Sequence, residues 1–423
     1  MTSAAVTASL RQTGAAVSRY DVERVRADFP IFSQTVYGKP LVYLDSAASA
    51  QKPRVVLDAM RKACETIYAN VHRGAHRLSQ LATDAYEDAR TAVAGHINAG
   101  SDSEIVFTRN ATEAINLVAA SYGRTMLRAG DEIILSEMEH HANIVPWHML
   151  REQTGVVLRV APVSETGELR IEEYAKLLGP KTRLVALTHC SNVLGTITPV
   201  KEITRLAHEH GAAVLIDGSQ GIVHGSVDVR DLDVDFYAFT GHKLYGPTGI
   251  GVLYGKYDRL QAMPPYQGGG EMIEHVSFDA VTYKDAPHRF EAGTPPIIEA
   301  IGLGAAIRYV RGLGVEAMRA HESELLDYAT GLLNDLGTVR IFGTVPGKAP
   351  ILSFLVDGIH PYDLAAVLDR AGVAVRVGQH CAEPLMNRLG VDGTVRASFA
   401  CYSTKSDVDA FVAAVRKAMA MLG

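Results

Sequence analysis

The chain has 423 residues, 47% hydrophobic and 21% charged, with a formal net charge of −6. That is too long for one small core, ordinary for a globular protein, and the wrong sign for a nucleic-acid-binding body. No apolar run approaches the ~20 residues that span a bilayer, so neither nucleic acid nor a membrane is an expected partner.

Residues 1–20 hold two Arg, several Ala, Ser and Thr, and no Asp or Glu. Without an apolar core they are no secretory signal, and they read as a short disordered extension of a cytoplasmic bacterial protein. A plastid transit peptide is the alternative. "DVERVRADFPIF" follows as a short helix ending at Pro30, part of an arm over 21–38. "LVYLDSAASAQKP" is a strand running into a turn of small residues.

From there strands and helices alternate. "EIVFTRNATEAINLVAASYG" and "DEIILSEMEHHANIVPWHML" each read as strand, polar turn and amphipathic helix. "VVLRVAPV" and "TRLVALTHC" are strands, and "VKEITRLAHEHG" is a helix stopped by Gly211. "AAVLIDGSQG" and "VDFYAFTGHK" are two more apolar strands, and "GIGVLYG" turns back antiparallel. Apolar strands alternating with helices predict a mostly parallel sheet covered on both faces, an α/β domain over 39–297. The glycine-rich "YQGGGEMI" (266–273) interrupts the pattern as a functional or interface loop.

Residues 298–423 predict a smaller α+β domain. It holds a long helix over "IIEAIGLGAAIRYVRGLG", the strands "ILSFLV", "VAVRVG" and "TVRASFACY", and the helices "PYDLAAVLDRAG" and "KSDVDAFVAAVRKAMAML".

The four cysteines, Cys64, Cys190, Cys381 and Cys401, are scattered and form no C-x-x-C pair. They suit a reducing compartment rather than a disulfide framework, and no metal site is expected. Cys64, Cys190 and Cys401 read as buried structural thiols. "HEH" (208–210) reads as a solvated helix end. Cys381 lies in the predicted loop "VGQHCAEPLM", where local sequence alone leaves core filler open beside nucleophile.

Ligands of an open α/β sheet bind beyond the carboxyl ends of its strands. Read in order, those ends deliver Ala111 and Thr112, then His140, Asn192, Asp217 and Gln220, and finally Thr240, His242 and Lys243. Singly, each has a bland reading as a cap, a loop residue or a solvated side chain. Together they match pyridoxal 5′-phosphate (PLP). Lys243 after an apolar strand suits a desolvated Schiff-base lysine, and Asp217 suits a pyridinium partner. His140 can stack on a ring. Thr112 opens a helix whose amides attract phosphate, with Thr240 and His242 as further donors.

The ordered set "YLDSAASAQKP", "VHRGAHRLS", "MEHHANIVPW", "SNVLGT", "FTGHKLYGPTGIG", "FEAGTP" and "RVGQHCAEP" resembles the group II, SUF-type cysteine desulfurases of the class V aminotransferase superfamily, over nearly everything beyond the tail. The resemblance implies a fold-type I, aspartate-aminotransferase-like homodimer acting on L-cysteine. Lys243 would hold PLP and move protons, with Asp217, His140 and Gln220 on the ring. Thr112, Thr240 and His242 would hold the phosphate, joined by Thr294 of the other subunit. Asn192, Arg396 and Arg376, with His72 of the "VHRGAHRLS" motif, would bind the substrate. Cys381 would take the sulfur as a persulfide and release alanine. A small acceptor of the SufE or SufU type would carry that sulfur to iron–sulfur cluster assembly. Two positions depart from the pattern: Thr240 replaces a frequent Ser, and Ala111 replaces a frequent Thr and loses one hydroxyl. A selenocysteine or cysteine sulfinate lyase is the alternative within PLP chemistry, and an inactive scaffold the alternative outside it. His380 or a backbone amide would favour the Cys381 thiolate.

Overall fold

Seven of the long apolar segments pair into one sheet in a computed structural model that describes residues 20–423. The order across the sheet is Ile105–Thr108, Gly251–Gly255, Phe236–Thr240, Ala213–Asp217, Thr182–Thr188, Glu132–Ser136 and Val157–Ala161. Gly251–Gly255 runs against both neighbours, and the five strands beyond it are parallel. Alternate residues of each strand enter opposite layers. Val185, Leu187, Val214 and Ile216 pack on one face, and Leu184, Ala186, Ala213 and Leu215 on the other. Both faces of the inner strands exclude water, so these are continuous apolar runs, whereas the edge strand Val157–Ala161 is largely exposed. Burying each large aliphatic side chain is worth roughly 1.5–3 kcal/mol.

Helices supply the two covers. Ala114, Ile115, Leu117 and Val118 of helix Ala111–Val118, with Trp147 and Leu150 of Val145–Thr154, close one face. Helix Ile297–Leu313 lies against helices Arg54–Thr66 and Arg77–His96 on the other. Helix Val200–Glu209 ends as expected at Gly211, whose φ of +74° suits glycine. Gly251 has a different reason to be glycine. A Cβ there would stand 2.4 Å from the Asn110 carbonyl carbon. Its absence lets the start of helix Ala111–Val118 settle against the sheet edge.

The C-terminal part forms a four-stranded antiparallel sheet in the order Val339–Phe342, Ile351–Val356, Thr394–Ser398, Arg376–Gly378. Helices Val315–Asn334, Pro361–Arg370 and Lys405–Leu422 complete its core, which also takes in Val42 and Leu44. The segment after Leu44 sews the two sheets together. Ser398 N–H donates to the Leu44 carbonyl at 2.7 Å, and Ala50 N–H to the His242 carbonyl at 3.0 Å.

Several details differ from the sequence reading. "VAVRVG" is two strands: Val373–Ala374 pairs with Val42–Tyr43, while Arg376–Gly378 pairs with Thr394–Ser398. Cys64 is exposed, because Val56 and Ala63 form the buried face of its helix and the next residue is turned by about 100°. Cys190 and Cys401 are buried. "HEH" is not simply solvated. His208 bridges Asp233 at 3.2 Å and the buried Asp235 at 2.9 Å, and Asp235 raises its pKa. Residues 1–19 of the expected extension lie outside the described residues, whereas Tyr20 donates its hydroxyl to the Cys401 carbonyl at 2.9 Å. "YQGGGEMI" leads into an unforeseen exposed hairpin, Ile273–Val276 with Val281–Tyr283.

Candidate active site

The carboxyl ends of the parallel strands open onto a cavity of about 190 Å³. Ala111, Thr112, His140, Asn192, Asp217, Gln220, Thr240, His242 and Lys243 line it from the seven-stranded sheet. Arg376, His380, Cys381 and Arg396 line it from the four-stranded sheet. Residues spread over almost 300 positions therefore share one concave surface: those of the larger sheet stand at or just beyond strand ends on one edge, while Arg376 and Arg396 project from within strands of the smaller sheet and His380 and Cys381 from the loop after Gly378.

Burial sets the electrostatics. Lys243 ends a tight turn, Gly241–Lys243, and desolvation pushes its amine down to about 8, against the opposing pull of Asp217. His140 falls to about 4 by burial and by the nearby Lys243 charge, so its ring is neutral at pH 7. Its Nδ1 accepts from Ala142 N–H at 3.0 Å, which leaves the proton on Nε2. Asp217 is 5% exposed and accepts from Ser219 N–H at 3.0 Å. His242 is lowered to about 4 by burial, with Lys243 and Lys52 adding to the effect.

The second wall carries the cations. Arg396 is 1% exposed. It donates to the Asn192 carbonyl at 2.7 Å and to Asp45 Oδ1 at 3.2 Å, and Arg376 approaches Asp45 Oδ2 at 3.7 Å. Burial lowers Arg396 to about 10, still a full cation at neutral pH. Asn192 gives its amide N–H to the His380 carbonyl at 2.8 Å.

The cysteine loop is short: residues 379–382 separate the strand ending at Gly378 from helix Glu383–Leu389. His380 and Cys381 both have φ of +55°. Left-handed backbone costs a non-glycine residue roughly 1–2 kcal/mol. The predicted loop is tied to the larger sheet through Asn192 and His141. His380 does not serve as a cationic neighbour of the thiol. Burial, then Arg396 and Arg376, drive it down to about 3. Its Nε2 instead faces Thr394, 2.9 Å from the hydroxyl oxygen.

Two expected site residues are not brought here. Thr294 is exposed and outside the cavity. His72 points to Glu87 at 2.8 Å and packs on Tyr86 and His288. Three residues were missed. Asp45 pairs with the arginines. Lys52 donates to the carbonyls of Ala50 and His242, the latter at 3.2 Å. His141 holds the loop. The first two sit in the small-residue run "DSAASAQK", where only the turn was legible.

The donor set fits an anionic ligand. Thr240 Oγ1 and Arg396 Nε are buried donors with no partner among the described residues, and both residues line the cavity. Such groups are rare in folded proteins and call for a partner. Thr112 and the first amides of helix Ala111–Val118 add the attraction of a helix N-terminus for phosphate. Phosphate at that end, a ring between His140 and Asp217, and an amine at the far side match the parts of PLP.

A family model described as aminotransferase class-V matches residues 42–411. The chain belongs to the class-V aminotransferase family. Its relatives include a cysteine desulfurase of Dickeya dadantii, 53% identical over 96% of this chain and 99% of that one. A cysteine desulfurase of Synechococcus elongatus is 50% identical over 94% of this chain, which spans 64% of that longer protein. Among solved structures, the cysteine desulfurase CsdA of Escherichia coli, in an S-sulfonic acid form, superposes with a TM-score of 0.88. It is 43% identical, and the match covers 96% of this chain and 100% of that one. A lysine mutant of C-DES with glycine covalently linked to its PLP cofactor gives 0.80 at 25% identity, over 92% and 98% of the two chains. The fold is therefore that of the fold-type I, aspartate-aminotransferase-like enzymes.

Proposed function

We infer that the protein is a PLP-dependent cysteine desulfurase. The carrying observation is the placement of Cys381, from one sheet, on the same cavity as Lys243, Asp217 and His140 from the other. Full-length similarity to named cysteine desulfurases supports it.

Bound PLP supplies an electron sink for charge left on the substrate's α-carbon. Lys243, with its amine held near 8, is matched to take that α-proton and return one at neutral pH. The neutral His140 ring covers the cofactor site, and its Nε2–H is a donor that does not depend on acid. Asp217 suits a protonated ring nitrogen, Gln220 its neighbouring oxygen, and Thr112, Thr240 and His242 the phosphate. Arg396, a buried cation with an unpaired Nε, suits the substrate carboxylate, with Arg376 and Asn192 beside it. The Cys381 thiolate attacks the sulfur of L-cysteine; the substrate's carbon–sulfur bond breaks, and that carbon ends protonated. L-cysteine and the Cys381 thiol become L-alanine and a Cys381 persulfide.

The short cysteine loop supports the group II, SUF-type subclass, a SufE- or SufU-type acceptor, and a role in iron–sulfur assembly. In a homodimer, as the resemblance implies, the exposed Thr294 would reach the phosphate in the partner subunit's cavity. A cytoplasmic setting fits free thiols; among the described residues no helix is long and apolar enough to cross a membrane. Domain limits of 39–297 and 298–423 keep the two sheets apart, although helix Ile297–Leu313 packs on the larger one and Val42 and Leu44 enter the smaller core. Incubation with L-cysteine should add about 32 Da to the peptide containing Cys381, a reversible persulfide cap. Cys381→Ser should keep bound PLP yet lose persulfide and sulfur transfer. Normal turnover by that variant would remove Cys381 from the reaction. Alanine release from cysteine, selenocysteine and cysteine sulfinate separates the desulfurase from the two lyases.

A further inference from the structure

One residue beside the larger sheet, His141, holds the cysteine loop just after its thiol, once by its backbone and once by its side chain. His141 N–H donates to the Cys381 carbonyl at 2.7 Å, and His141 Nε2 accepts from Glu383 N–H at 3.0 Å. Glu383 is the first residue of helix Glu383–Leu389, so its amide has no carbonyl partner within the helix. The imidazole supplies that partner from another part of the chain, 242 residues away. Accepting at Nε2 leaves the ring proton on Nδ1. His140, one residue earlier, has the opposite arrangement, with Nδ1 accepting from Ala142 N–H. The two adjacent histidines therefore divide the work: His140 lines the cavity, and His141 turns to the loop.

The loop has reason to move when released. His380 and Cys381 are consecutive non-glycine residues at φ of +55°, a conformation that persists only when its surroundings impose it. The imposing contacts are the two bonds to His141 and the Asn192 bond to the His380 carbonyl. His141 is the only one of these side chains that the cavity does not use.

We propose that His141 is a positioning residue for Cys381: its imidazole pins the loop from the Glu383 side and sets where the thiol stands in the cavity. This rests on the assignment of Cys381 as the sulfur acceptor. A small displacement of a reacting atom is costly, because an oriented attack depends on near-contact geometry.

The test uses the holoenzyme and the exposed Cys64 as an internal standard. His141→Ala should slow Cys381 persulfide formation in a single turnover by roughly 10-fold, with KM for cysteine within about twofold. The ratio of Cys381 to Cys64 alkylation by iodoacetamide, read by peptide mass spectrometry, should rise severalfold. His141→Gln, which keeps an acceptor, should recover at least half of both effects. Glu383→Pro removes the donor itself at a helix position where proline is tolerated, and should reproduce the alanine phenotype if His141→Ala does not fold. Unchanged persulfide rate and alkylation ratio, or a glutamine variant as impaired as the alanine one, would overturn the proposal. A wild-type protein that makes no alanine from cysteine would instead overturn the desulfurase reading. The alkylation ratio would still report on the clamp.

Discussion

Arg90, buried, and Lys243, half-buried, are both cations withdrawn from water, and they are treated in opposite ways. Arg90 is 1% exposed and saturated: it donates to Glu87 at 2.7 Å, to both oxygens of Glu291 at 2.7 and 2.9 Å, and to the Ile105 carbonyl at 2.7 Å. Burial opposes its charge, but Glu291 more than offsets this and raises its pKa. Lys243 has no carboxylate or carbonyl on its amine among the described residues, and burial wins. A satisfied buried charge fixes the fold. An unsatisfied one is poised to give up its proton, which is what a base near neutrality requires.

The largest expected effect is on catalysis. Lys243→Met should reduce alanine formation from cysteine by at least about 10²–10⁴-fold, the usual worth of a positioned acid–base. Arg90→Met should leave the chemistry of the folded protein nearly intact. It strands Glu291 and Glu87 and should cost about 3–5 kcal/mol in urea unfolding. The same unfolding measurement on cofactor-free Lys243→Met should show the reverse sign: a gain of about 1–3 kcal/mol at pH 7, since each pK unit is worth ~1.4 kcal/mol. The pH dependence sharpens the point. Lys243 titrates at about 8 in the fold against 10.5 ordinarily, so the unfolded chain holds the extra proton between those values. Stability of the cofactor-free wild type should therefore rise with pH across that window, and Lys243→Met should lose the rise. The smallest effect belongs to a third, half-exposed cation. His208 is raised above 6.5 by Asp235. Its contribution is complete below pH 6.5 and lost as pH climbs through its folded value. His208→Asn should cost under about 1 kcal/mol at pH 6 and less at pH 9. If Arg90→Met and Lys243→Met shift stability in the same direction, the contrast between the two cations fails.

The Lys243 side of this contrast was legible in the sequence and the Arg90 side was not. Strands buried on both faces must be apolar runs, so each polar residue at a run's end stands out, and five such ends named the cavity wall. Arg90 and Glu291 lie 201 residues apart, and although Glu291 sits in "FEAGTP", nothing in that motif points back to Arg90. Their pairing depends on how helix Arg77–His96 meets the segment before Ile297. Asp45 was missed for the same reason, as its partner Arg396 is remote. The direction of Cys64 needed the helix phase, which a window of mixed residues did not give. His380 was misjudged because its neutrality comes first from burial and then from Arg396 and Arg376, all of them matters of packing.

The ion pair between Asp45 and Arg396 joins positions 351 residues apart. A ribosome releases the Asp45 side of that contact early and the Arg396 side almost last. Once Lys243 has been made, the chain carries Lys243, Asp217 and His140 for a further stretch of synthesis while the wall that carries Cys381 and Arg396 is still missing. On the proposed roles, the nascent protein would then hold parts of a cofactor site but neither the substrate's carboxylate partner nor the sulfur acceptor. Those would arrive only with the final few dozen residues.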